Sequence, residues 1–77
     1  MIQYTPKEFI KIVEANGYYF NRGKGDHAVY VNKQGRHISI PIKKLECVIA
    51  RRLIRENNLI TNIKEAKKYA RQEARAY

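Results

Sequence analysis

Residues 27–41 read His27-Ala28-Val29-Tyr30-Val31-Asn32-Lys33-Gln34-Gly35-Arg36-His37-Ile38-Ser39-Ile40-Pro41. Both ends of this stretch alternate in strand fashion. From His27 to Asn32, residues His27, Val29 and Val31 point one way and Ala28 and Tyr30 the other. From Arg36 to Pro41, Ile38 and Ile40 share one side, and His37 and Ser39 the other. Asn32-Lys33-Gln34-Gly35 is turn chemistry, so the two runs form a β-hairpin. Matching the apolar faces then sets the register. It predicts Val29 opposite Ile38, Tyr30 opposite His37 and His27 near Ile40, with Pro41 ending the sheet.

Upstream, Thr5-Pro6-Lys7-Glu8 marks a helix start: a cap, a proline fit for the first turn and the acidic partner of a capping box. Phe9, Ile12, Val13 and Asn16 share one helical face, and Asn16-Gly17 stops the helix. Tyr18-Tyr19-Phe20-Asn21 reads as a short aromatic strand, and Arg22-Gly23-Lys24-Gly25-Asp26 as a loop. Downstream, a second helix is predicted from about Lys43 to Asn57. Leu45, Ile49 and Leu53 form its buried face, and Lys44, Val48, Arg51 and Arg55 a neighbouring stripe. A third helix is expected from near Asn62, with Glu65 as capping partner and a weak apolar stripe of Ile63, Ala66, Ala70 and Ala74. The expected fold is α+β: a three-stranded antiparallel sheet covered on one face by two helices (α-β-β-β-α), plus a C-terminal helix.

The chain has 77 residues, room for one small core and no cofactor domain. One cysteine, Cys47, excludes an internal disulfide framework and a thiolate zinc cluster; its neighbours Leu45, Val48 and Ile49 suggest a buried thiol. No signal pattern and no apolar run of spanning length occurs, so a cytoplasmic protein is expected. Lys and Arg number 16 against 7 Asp and Glu, a formal charge of +9, which points to a polyanionic partner. The excess is concentrated in residues 22–55, where nine Lys and Arg face only Asp26 and Glu46. That segment is the expected footprint on nucleic acid. A basic membrane-surface helix at residues 61–77 is disfavoured, because its stripe carries alanines where such helices carry Leu, Phe or Trp.

Carboxylates are too few and scattered for a metal-dependent nuclease, there is no P-loop, and no nucleophile–His–acid triad can be read. Two histidines remain, His27 and His37. An imidazole can take a proton near neutral pH and return it, and RNA supplies its own nucleophile in the 2′-hydroxyl. Arg22 and Lys24 precede His27 and Arg36 lies on the facing strand, a set of cations suited to a scissile phosphate. Lys43, Lys44, Arg51 and Arg55 extend the RNA-binding surface. On residues alone, His27 is either a general acid/base or a sheet-edge histidine that only packs or hydrogen-bonds.

A resemblance shifts the weight toward the first. Lys7-Glu8-Phe9-Ile10-Lys11-Ile12-Val13-Glu14-Ala15-Asn16-Gly17-Tyr18 is similar to the opening of the HicA family: a helix, a glycine, then an aromatic. Lys24-Gly25-Asp26-His27-Ala28-Val29-Tyr30 resembles that family's Lys-Gly-Ser-His segment, Ile38-Ser39-Ile40-Pro41 its third strand, and Leu45 to Leu59 its second helix. Asp26 stands in place of the serine, and Ala28 where many relatives carry a second histidine. The resemblance implies a fold like that of double-stranded-RNA-binding domains over residues 1–60, followed by a basic extension at 61–77. It implies a toxin that cleaves mRNA without metal or other cofactor, with His27 catalytic, held in check by a HicB-like antitoxin. A non-catalytic RNA-binding module of the same fold is the alternative.

Overall fold

The computed structural model describes residues 3–75, with side chains as far as Tyr69. The order is α1 (Pro6–Ala15), β1 (Tyr19–Lys24), β2 (His27–Val31), β3 (His37–Pro41), α2 (Cys47–Glu56) and α3 (Ile63–Arg75). The three strands form one antiparallel sheet in the order β1-β2-β3. This is the α-β-β-β-α arrangement expected, with the additional C-terminal helix.

Local chemistry explains the ends of α1. The Thr5 hydroxyl accepts from the Glu8 backbone N–H at 3.1 Å, and the Glu8 carboxylate accepts from the Thr5 N–H at 3.2 Å. Hydrogen bonds from the Thr5 hydroxyl and backbone hold the Glu8 carboxyl below its usual pKa. Tyr4, just before the cap, meets Phe9 edge-on at 6.1 Å and staples the entry of the chain. At the other end Gly17 takes φ 91°. Its N–H reaches Glu14 O and the Tyr18 N–H reaches Val13 O, the paired bonds of a Schellman stop. α2 ends in the same way, with Asn58 at φ 51° and the Leu59 N–H on Ile54 O at 2.9 Å.

The hairpin register departs from expectation by one residue. Ala28 pairs with Ile40, Val29 with Ser39, Tyr30 with Ile38 and Val31 with His37. The turn is the cause. The Asn32 N–H donates to Arg36 O at 3.1 Å, so these two residues still face each other and the loop holds three residues, Lys33 to Gly35. The Asn32 side chain accepts from the backbone N–H groups of Gln34 and Arg36 at 3.0 and 2.9 Å, and Gly35 closes the loop at φ 83°. A three-residue loop with a left-handed glycine last is a favoured hairpin form. Shortening the loop by one residue turns β2 over relative to β3. Ala28 and Tyr30 therefore join Ile38 and Ile40 under the helices. Val29 and Val31 are also buried, at 7 % exposure, but lie on the far face outside that cluster.

The core comprises Phe9, Val13, Tyr18, Ala28, Tyr30, Ile38, Ile40, Leu45, Ala50 and Leu59, with Ile49, Leu53 and Ile54 of α2 packed against it. α2 begins at Cys47, four residues later than expected. The Ile42 N–H donates to Asp26 O at 2.8 Å, which keeps the chain extended past the sheet, and Leu45 enters the core before Glu46 opens the helix. Cys47 is only partly buried, unlike the enclosed thiol expected. α3 packs on α1 through Ala66, which is 1 % exposed. Asn62 caps it by accepting from the Glu65 N–H at 3.1 Å. Ile63 and Tyr69 stay exposed, so the expected stripe contributes Ala66 alone among the described side chains; those of Ala70 and Ala74 lie outside them. Asn16 ties the approach to α3 in place, its amide bonding Ile60 O and Ile60 N at 2.9 Å each.

Candidate nucleic-acid interface

The sheet has two unlike faces. Alternation and the observed pairing put Ala28 and Tyr30 toward the helices, and so put His27, Val29 and Val31 on the other side. His37, Ser39 and Pro41 of β3 stand opposite those three and share their side. On β1 a bulge at Asn21 interrupts the register, so Tyr19 faces Val31, Arg22 faces Val29 and Lys24 faces His27. Without the bulge, Tyr19 and Arg22, three residues apart, would point to opposite sides. With it, Tyr19, Arg22 and Lys24 all join the His27 face.

β1 continues to Lys24, so Arg22 and Lys24 sit on a strand and not in the expected loop. The connection to β2 is the two-residue turn Gly25-Asp26, with Gly25 at φ 59° in the first central position. This tight turn makes Lys24 the direct cross-strand neighbour of His27, with Cα atoms roughly 4.5–5.5 Å apart by antiparallel geometry. His27 is exposed. Beside it, Lys43 Nζ lies 3.4 Å from Asp26 Oδ1, an exposed ion pair of small energetic worth that nevertheless brings a third cation to this end of the sheet.

The remaining expected residues lie elsewhere. Arg36 is at the opposite end of the hairpin, where its Nε donates to Asn57 Oδ1 and its Nη2 to Glu56 O, each at 2.7 Å. There it closes the C-terminal end of α2, whose unpaired carbonyls favour a cation. Lys44 precedes α2 and borders a surface hollow with Thr5 and Cys47. Arg51 and Arg55 are exposed on α2, the helix that packs against the other side of the sheet from His27. The structure therefore gathers Arg22, Lys24 and Lys43 around His27 and does not bring Arg36, Arg51 or Arg55 to it.

The register read from the apolar pattern puts His37 beside Tyr30, on the side away from His27. The true register puts both histidines on one face, but four residues apart along β2, about 13 Å at the usual rise per residue. They cannot act on one phosphorus together. Tyr30 is withdrawn into the core, where burial pushes its phenol pKa up and the Glu14 carboxylate adds to the shift. Among the described residues, no three of His, Cys, Asp or Glu gather as a metal site, and no helix is long and apolar enough to cross a membrane.

Residues 6–59 match the family model described as the HicA toxin of bacterial toxin–antitoxin systems. A search among curated proteins gave no match.

Proposed function

The chain belongs to the HicA family of bacterial toxin–antitoxin toxins, and on that premise we propose that it is a cytoplasmic endoribonuclease that cleaves mRNA with His27 as general acid/base. The observation that carries this reading is the setting of His27: exposed at the end of β2, paired across the strand with Lys24, two pairs from Arg22 on the same face, and close to Lys43. Cleavage through the 2′-hydroxyl needs a proton acceptor, a proton donor and positive charge at the phosphate, and this end of the sheet offers all three. Lys24 is close enough to share proton delivery to the leaving 5′-oxygen, or His27 performs both transfers in turn through water. No resident metal or cofactor enters the scheme. Residues 1–60 form the catalytic domain and residues 61–77 an extension of it. A HicB-like antitoxin neutralises the protein by covering the His27 face. Incubation of the purified chain with a defined mRNA in EDTA is expected to give fragments with 2′,3′-cyclic or 3′-phosphate ends. Intact RNA in that assay would leave a binding module in its place, and 5′-phosphate ends would exclude the 2′-hydroxyl route.

Phosphate neutralisation releases counterions, so RNA affinity should fall steeply with salt. Arg22→Ala with Lys24→Ala is expected to weaken binding and to reduce the salt slope by about 1.4, roughly 0.7 for each cation withdrawn from a single-strand phosphate. Arg36, Arg51 and Arg55, remote from His27, contribute RNA attraction at longer range, as does Lys44. Arg51→Ala with Arg55→Ala should therefore lower affinity less than the strand pair does. Titrations at several salt concentrations compare the two, and a larger loss from the α2 pair would move the footprint to the helices.

A further inference from the structure

The far end of the His27 face carries no role in the scheme above, and its composition is specific. Tyr19 and His37 flank Val31 there as cross-strand neighbours on either side, both exposed, while Val29 and Val31 themselves are buried. No Asp or Glu occupies any position of the three strands, and Arg22 lies between these rings and His27. We infer that the open sheet face is a platform for single-stranded RNA, on which Tyr19 and His37 stack unpaired bases while Arg22 and Lys24 hold the backbone leading to His27. The inference rests on the proposed ribonuclease reading and adds to it the substrate's form.

Three features support this occupant. The exposed rings of Tyr19 and His37 offer stacking area, which every base can use and which needs no sequence. Bases within an A-form duplex are already stacked on one another and present their edges, not their faces, so a duplex gains nothing from Tyr19. Charge complementarity runs along the face as well, because its cations lie at the catalytic end and its aromatic groups at the other. The bulge at Asn21 is what allows this layout, since it sets Tyr19 on the same side as Arg22. About 13 Å separates the Tyr19–Val31–His37 row from His27, well within the span of one short oligonucleotide.

The test uses the full chain and a fluorescently labelled 2′-O-methyl octanucleotide of mixed sequence. That probe lacks the nucleophilic hydroxyl and survives any cleavage activity. The single strand is expected to bind more tightly than the duplex of the same length. Tyr19→Ala should weaken the single strand about tenfold or more without altering the salt slope, because a stacking contact releases no counterions. Tyr19→Phe should restore binding, as should His37→Phe relative to His37→Ala. Both side chains are exposed, and unchanged thermal melting establishes that each variant is folded. Tighter binding of the duplex, or single-strand affinity indifferent to Tyr19→Ala, overturns the platform even if the wild type cuts mRNA as proposed. The platform is also overturned if Tyr19→Ala binds RNA normally but escapes its antitoxin, because the face is then a protein interface. A wild type that neither binds nor cuts RNA removes the ribonuclease reading itself.

Discussion

His27→Ala is expected to slow RNA cleavage by about 10²–10⁴-fold, the usual worth of a lost general acid or base. That reduction suffices to abolish toxicity when the variant is expressed in cells. RNA affinity should survive, because Arg22, Lys24 and Lys43 do not depend on the imidazole for their positions. Arg22 and Lys24 are fixed by strand pairing, and Lys43 follows Ile42, whose N–H is held by Asp26 O. The fold should survive too, since His27 is exposed and outside the core. His37→Ala serves as the control. It lies on the same face but about 13 Å along the sheet, so it should reduce binding and leave the single-turnover rate of bound RNA near that of the wild type. Single-turnover cleavage at saturating protein separates the two effects. If His37→Ala lost the chemical step while His27→Ala kept it, the catalytic assignment would pass to the other histidine. If both kept it, the general acid and base would have to be sought among the lysines.

The parts of the fold that the sequence discloses are those governed by neighbours in the chain. Thr5, Pro6 and Glu8 specify the start of α1 within four residues, and Asn16-Gly17 specifies its end within two. The helical and strand periods are equally local. The hairpin register is not, because it depends on whether the turn contains three residues or four. The hydrophobic pattern was ambiguous here, since both faces of β2 are apolar: Val29 and Val31 on one, Ala28 and Tyr30 on the other. The deciding signal was present in Asn32 and Gly35, an amide able to cap the turn and a glycine three positions later able to take a left-handed φ. The site divides in the same way. Arg22 and Lys24 are close to His27 in sequence and close in space. Arg36 precedes the facing strand, but at the end away from His27, which pairs with Pro41. There Arg36 is drawn off by Asn57 and Glu56, twenty residues and more away. Contacts of that range, like the bonds between Asn16 and Ile60, follow from how α2 ends and not from any local motif. The bulge at Asn21, which assembles the open face, has no clear mark in the sequence.

The register makes its own demand on stability. Tyr30 is 6 % exposed within the core cluster and meets Phe20 edge-to-face at 5.7 Å, whereas Val29 is buried on the opposite face, away from both helices. Removing a buried aromatic ring costs about 3–5 kcal/mol, so Tyr30→Ala should lose that much. A domain of this length has a total stability of roughly 4–12 kcal/mol. Tyr30→Ala is therefore expected to shift the urea midpoint far down or to unfold the protein outright. Tyr30→Phe keeps the ring and should remain folded close to wild type, which shows that packing and not the hydroxyl is responsible. Val29→Ala removes two buried methyl groups from the face away from the helices, about 1–2 kcal/mol at the usual worth of a buried carbon, with no void left beneath a helix. The pairing of Val29 with Ile38 that the apolar pattern suggests reverses this order, for Val29 would then lie under α1 and α2 while Tyr30 stood outside. Equilibrium urea unfolding of the three variants distinguishes the two arrangements. A Val29→Ala loss equal to or above that of Tyr30→Ala would refute the observed register. It would also take His37 off the His27 face, and the RNA platform with it, because both depend on the same three-residue turn.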